Sequence, residues 1–260
     1  MSTLEKTDNV TLVEDRPVLR DEGQGRTILL LHGGGGAATV SGLAGALAAH
    51  TRVLTPTHPG FDGTPRPARL DSVAALADLY LNLLESLDVR DVIIVGSSLG
   101  GWVGAEMVLK DSGRIRGLVL INACGIAVPG ETVADVFRLS PLELARLAFH
   151  NPEVILGNAP PPTAEQVALR AGNLAALAAY DQGAGMQVPD LRERLAVVDI
   201  PALVIWGESD RVVSPGYGRA YAAAFPHGRF EVVPAAGHLP HIEQPDKVLA
   251  SIHAFMRNEG

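Results

Sequence analysis

The 260-residue sequence has a single cysteine, Cys124, which excludes an internal disulfide framework. Its basic residues form no cluster: 21 Lys and Arg against 29 Asp and Glu give a formal net charge of -8, so nucleic acid is not an expected partner. No stretch reaches the roughly 18 apolar residues of a membrane span. Residues 1–8 carry no apolar core of signal-peptide length, and the chain reads as soluble and cytoplasmic, with no membrane partner. Neither Cys-x-x-Cys nor His-Glu-x-x-His spacing occurs, so no metal and no cofactor is expected. What is present is 47% hydrophobic content and 28 glycines. That is enough for one large α/β domain with an inserted subdomain, and too little for two full enzymes. Whether the chain forms a homo-oligomer stays open.

Residues 91–107 organise the rest. The run Val92-Ile93-Ile94-Val95 is β-branched throughout, the composition of a strand buried on both faces, and Trp102, Val103, Ala105 and Met107 then suit a helix. Between them lies Gly96-Ser97-Ser98-Leu99-Gly100. A chain reversal within about four residues forces Ser98 into a strained conformation and crowds its neighbours, which is what glycines at 96 and 100 permit. The hydroxyl would project above the sheet edge while the helix starting near Leu99 aims its free N–H groups at a ligand. Taken alone, the motif also fits a plain strand-to-helix turn.

Along the chain, residues 10–20 read as an edge hairpin strand and residues 21–25 as a turn. The buried run at 27–31 delivers His32-Gly33-Gly34-Gly35-Gly36. Glycine costs backbone entropy in a sheet, so four in a row point to bare N–H groups approaching a ligand; a linker would not sit between a buried strand and the apolar helical stretch at 43–49. A strand at 52–56 precedes a Pro/Gly-dense loop at 57–65 that contains His58. Residues 71–87 form an amphipathic helix, with Asp71 and Ser72 at its N-cap. A strand follows at 117–122, and just after it Cys124 suits a buried packing position. From 125 to 199 buried β runs vanish and helical stretches at 133–137, 141–149, 163–180 and 190–197 are broken by prolines. Strands resume at 202–206 and 229–233, and a helix at 245–256 ends the chain. The predicted organisation is a core of residues 1–124 and 200–260 with a helical insertion at 125–199. Its sheet is mostly parallel and covered on both faces, with ligands at the carboxyl ends of its strands.

Two further loops fall at such ends: Gly207-Glu208-Ser209-Asp210-Arg211-Val212-Val213 and Pro234-Ala235-Ala236-Gly237-His238-Leu239-Pro240-His241. One sheet edge therefore presents Ser98, an acid at 208–210 and a histidine. A neutral hydroxyl becomes a useful nucleophile when an imidazole takes its proton and a carboxylate holds that imidazole in the right tautomer. On these stretches, together with the His32-Gly33-Gly34-Gly35 loop and Gly96–Gly101, the sequence resembles the α/β-hydrolase family over essentially its whole length. The resemblance implies Ser98 as nucleophile, His238 as general base and Asp210, in preference to Glu208, as the orienting acid. It implies an oxyanion hole made by the N–H of Leu99 and one from the glycine loop, Gly34 first with Gly33 and Gly35 behind it. Gly33, Gly35, Trp102 and His241 are the candidate substrate contacts. His32 would anchor the loop. His58 stands where many relatives carry an acid, and Trp102 packs under the elbow.

Relatives that open epoxides or displace halide use an aspartate at the elbow, so Ser98 directs the expectation to acyl transfer to water. The insertion, rich in Leu, Ala and Val, would line a pocket for a small or medium apolar acyl substrate. A carboxylic ester is the first expectation. Carbon–carbon cleavage of a β-diketone-like ring-cleavage product and enol-lactone hydrolysis are the alternatives, and a small-ligand receptor the non-enzymatic one. Activity should rise from pH 5 towards 8, because His238 acts as a base only when neutral.

Overall fold

The computed structural model describes residues 17–110, 113–131, 133–157 and 160–258. Its strands are β1 (Leu19–Glu22), β2 (Thr27–Leu31), β3 (Arg52–Pro56), β4 (Val92–Ser97), β5 (Ile115–Ile121), β6 (Gly125–Ile126), β7 (Gln187–Val188), β8 (Ala202–Gly207) and β9 (Gly228–Val233). Its helices are α1 (Ser41–Ala48), α2 (Val73–Ser86), α3 (Leu99–Lys110), α4 (Pro141–Ala148), α5 (Pro152–Gly157), α6 (Ala164–Asp181), α7 (Leu191–Arg194), α8 (Pro215–Ala222), α9 (Pro240–Glu243) and α10 (Pro245–Asn258). Seven strands form one sheet in the order β1-β3-β2-β4-β5-β8-β9, parallel except for β1.

The continuous apolar runs become central strands because both faces are covered, so side chains of either parity are buried. Ile28, Leu30, Ile93, Val95, Val119, Ile121, Leu203 and Ile205 pack on one face against Leu43 and Leu47 of α1 and Val248, Ile252 and Phe255 of α10. Leu29, Leu31, Ile94, Leu118, Leu120, Val204 and Trp206 pack on the other against α2, α3 and α8. Helix α2 starts where expected, with Ser72 as its N-cap accepting from the Ala75 N–H.

Three local expectations are corrected. The edge strand is β1 at Leu19–Glu22, so Asp21 and Glu22 are strand rather than turn. It pairs antiparallel with β3 and makes no hairpin with β2. Residues 10–16 lie outside the described residues. No helix forms at 133–137: Val133 makes an isolated antiparallel bridge to Val213 and Phe137 lies in a turn, so their apolar side chains pack on the core instead of building a helical stripe. The 125–199 segment is also not purely helical. Beside α4 to α7 it holds the two-stranded parallel ladder of β6 and β7. The stretch at 190–197 is α7 followed by a 3-10 turn. No helix among the described residues is long and apolar enough to cross a membrane.

Candidate active site

Ser98 sits alone between β4 and α3 with φ at +52°, in the left-handed region that L residues other than Asn and Asp seldom occupy. Its N–H donates to the Ile121 carbonyl of the neighbouring strand at 2.9 Å, and its own carbonyl accepts from Gly101 and Trp102 in the first turn of α3. The reversal is held from both sides. It also explains the glycines: a Cβ on Gly96 would collide with the Gly100 backbone, and one on Gly100 with the Leu31 carbonyl. Sequence and strain agree at this point.

His238 Nε2 lies 3.1 Å from Ser98 Oγ and its Nδ1 lies 2.8 Å from Asp210 Oδ2. Facing a carboxylate, Nδ1 must carry the proton, which leaves the Nε2 lone pair for the serine hydroxyl. Asp210 is fixed independently of the histidine. Its Oδ1 accepts from the N–H groups of Val212 (2.8 Å) and Val213 (3.0 Å), and its Oδ2 also accepts from Asn122 Nδ2 at 2.6 Å. Asn122, fully buried at the end of β5, is oriented in turn by the Gly207 N–H on its Oδ1 at 3.2 Å. In the sequence Asn122 reads only as the end of the strand at 117–122. The available signal was a polar amide closing an apolar run directly beside the strand that leads to the acid. Glu208 is directed elsewhere, its carboxylate accepting from the Ala235 N–H.

The glycine loop runs alongside. A Cβ on Gly33 would come 3.0 Å from Ser98 Cβ, and one on Gly34 would come 3.0 Å from Leu177 of α6, so the loop is sandwiched between the serine and the 125–199 segment. Gly35 faces Thr39, and its carbonyl accepts from the buried Asn173 of α6. Asn173 also donates to Asp62, whose carboxylate accepts from the Ala37 N–H just beyond the glycines. The N–H groups of Leu99 and Gly34 have no acceptor among the described residues. Two orphan donors thus flank Ser98.

The remaining candidates surround this centre. Trp102 is buried in α3 with its indole under Gly125. His241 is buried in α9, and burial, partly offset by the Thr39 backbone and reinforced by His238, pushes its imidazole down to about 4. Cys124 is buried beside Ser98, its thiol pushed up to about 12 chiefly by burial. Among the described residues no group of three or more His, Cys, Asp or Glu could hold a metal ion.

The C-terminus of α4 closes the site from the other side. A helix leaves its last carbonyls without partners. Here four in succession are taken by the loops that carry Asp210 and His238. Arg211 gives its guanidinium to the carbonyls of Arg146 and Phe149 and its N–H to that of Leu147, while the His238 N–H donates to Ala148 at 2.6 Å. Gly237 permits the approach, since a Cβ there would strike the Ala148 carbonyl. Glu243 bridges the same two regions, accepting from the N–H groups of Gly237 and His150.

This architecture has known counterparts. An uncharacterized protein of Mycobacterium tuberculosis is 29% identical over 93% of this chain and 78% of its own length. The 2-hydroxymuconate semialdehyde hydrolase of Pseudomonas putida is 26% identical over 93% of this chain and 90% of its own. A thermophilic esterase from Thermogutta terrifontis superposes with a TM-score of 0.73 at 27% identity, over 93% of each chain. The model of the alpha/beta hydrolase family matches residues 28–251. The chain is therefore a hydrolase that belongs to the alpha/beta hydrolase family.

Proposed function

We propose that the protein is a serine hydrolase that cleaves carboxylic esters of small to medium apolar acyl groups through an acyl-enzyme. The observation that carries this is the continuous hydrogen-bonded path from Asp210 through His238 to a strained, projecting Ser98. His238 removes the Ser98 proton as Oγ attacks the ester carbonyl. The tetrahedral oxyanion is received by the N–H groups of Leu99 and Gly34, and the imidazolium returns its proton to the departing alkoxide. Water, deprotonated by the same imidazole, then attacks the acyl-enzyme and regenerates Ser98. Asp210 keeps the imidazole oriented throughout, and Asn122 keeps Asp210 oriented.

Residues 125–199 form the lid over this centre in our reading, with α6 placing Leu177 against the oxyanion loop and α4 docked on the acid and base loops. An apolar acyl chain suits such a wall. A second reading, hydrolysis of a carbon–carbon bond in a ring-cleavage product, is favoured by the similarity to the Pseudomonas putida hydrolase and would use the same serine.

The test is turnover of p-nitrophenyl esters from acetate to decanoate by wild type and Ser98→Ala in parallel. Release that depends on Ser98 and peaks at a short or medium chain length supports the ester reading. A folded wild type that releases nothing from any ester, yet cleaves a 2-hydroxy-6-oxodienoate, would replace it with the second.

A further inference from the structure

His58 has a buried environment of its own. Its Nδ1 lies 2.5 Å from the Tyr80 hydroxyl of α2, its Nε2 lies 2.9 Å from the His32 carbonyl, and its backbone N–H donates to His32 Nε2 at 2.9 Å. His32 Nδ1 in turn lies 2.7 Å from the Gly33 carbonyl. We propose that Tyr80 and His58 are positioning residues that set the plane of the Gly33–Gly34 peptide and so aim the Gly34 N–H at the oxyanion. This inference rests on the ester-hydrolase reading above.

The partners dictate every proton in the chain. His58 Nε2 faces a carbonyl and must be the N–H, so Nδ1 accepts from the Tyr80 hydroxyl. His32 Nε2 receives the His58 amide and must be bare, so the His32 proton sits on Nδ1 and is donated to Gly33. The two histidines are thereby locked to each other twice, ring to backbone in both directions. Both rings are fully buried and Phe61 packs edge-on against each. Burial keeps them neutral, His32 pushed down to about 4 and His58 well below the ordinary histidine range. A protonated His32 would have no lone pair for the His58 amide.

The Gly33 carbonyl and the Gly34 N–H are opposite ends of one planar trans peptide, so fixing the oxygen fixes where the N–H points. A run of glycines has no side chains to hold that plane. Apart from His32, the Gly33 oxygen has one partner among the described residues, the Gly36 N–H at 3.2 Å. Remove the Tyr80 hydroxyl and His58 Nδ1 is left buried without a donor, while the tautomer is held through the His32 carbonyl alone. A ring that shifts to satisfy Nδ1 gives up that carbonyl and loosens the His58 amide on His32 Nε2, and the peptide plane is free to rotate away from Ser98.

Tyr80→Phe removes one oxygen and keeps the ring, and His58→Leu removes the relay. We expect kcat/KM for p-nitrophenyl butyrate to fall about 10-fold in the first and about 100-fold in the second, the first below and the second at the lower end of the about 10²–10³ that outright loss of one oxyanion donor costs. Affinity for an alkyl trifluoromethyl ketone, which forms the tetrahedral adduct on Ser98, should fall by the same factors. Affinity for the matching methyl ketone should stay within about twofold, because little charge develops on its oxygen. Variants with wild-type kcat/KM and trifluoromethyl ketone affinity, whatever their melting temperature, would overturn the proposal. So would equal losses for both ketones, since that is general damage to the pocket. Should His58→Leu fail to fold, Tyr80→Phe decides by itself. Turnover that survives Ser98→Ala would mean the serine acyl-enzyme reading has failed and takes this proposal with it. Ser98-dependent turnover that is indifferent to Tyr80→Phe removes this proposal only.

Discussion

Lowering the pH from 7 to 5 should strip several kcal/mol from the fold through its buried histidines. His32 and His241 are buried, and burial pushes each down to about 4, whereas in the unfolded chain a histidine takes up its proton near 6.5. The folded pKa is depressed, so unfolding binds protons: stability is complete above about 6.5 and is lost as pH falls towards 4. Integrating the linkage from pH 7 to 5 gives about 2 kcal/mol for each of the two histidines. His58, held well below the usual range by burial and by its neighbour His32, adds a loss of the same sign. The total is a large part of an ordinary domain stability of about 5–15 kcal/mol. Urea denaturation followed by the fluorescence of the buried Trp102 and Trp206 at pH 7, 6 and 5 measures it directly. His241→Leu should flatten the dependence by one proton, about 1.4 kcal/mol per pH unit below 6. A stability that changes by less than about 1 kcal/mol between pH 7 and 5, or an unaltered slope in His241→Leu, would refute the premise that these rings are neutral because they are buried.

Three further outcomes follow from the same geometry. His238→Ala should cost several orders of magnitude in kcat/KM with little change in fold, while His241→Ala costs about tenfold or less, because a ring held neutral down to about 4 exchanges no proton during turnover between pH 5 and 8; comparable losses would place both rings in the proton path. Leu177→Ala opens space above Gly34 and should move the optimum of the p-nitrophenyl ester series to longer acyl chains, with an unmoved optimum placing the acyl chain elsewhere. Gly237→Ala drives a methyl into the Ala148 carbonyl and should cost about 1–3 kcal/mol in thermal unfolding together with at least tenfold in kcat, since the His238 loop must shift; intact activity would detach α4 from the alignment of the base.

The sequence was most legible where one local pattern met one physical demand. A parallel sheet covered on both faces selects uninterrupted apolar runs, so β2, β3 and β8 each begin one residue ahead of their first Val, Ile or Leu, at Thr27, Arg52 and Ala202. The tight reversal at Ser98 demands small residues on either side, so Gly96 and Gly100 mark it in one dimension. Legibility failed where the partner was remote. Residues 133–137 have helical composition, yet Val133 is bound by a strand-like bridge to Val213, eighty residues away, and local spacing cannot encode that pairing. Asn122 looks like any strand terminus until β8 is placed beside β5 and brings Asp210 within 2.6 Å of it. Arg211 looks like a solvated charge until the end of α4 arrives with its unpaired carbonyls. The same limit applied to His58. Its departure from the usual acid was visible in the sequence, but a carboxylate and a neutral imidazole do different work there. A carboxylate accepts only, whereas His58 accepts from Tyr80 and donates to His32, and only the fold, by burying both rings with Tyr80 at their back, makes the neutral form the stable one.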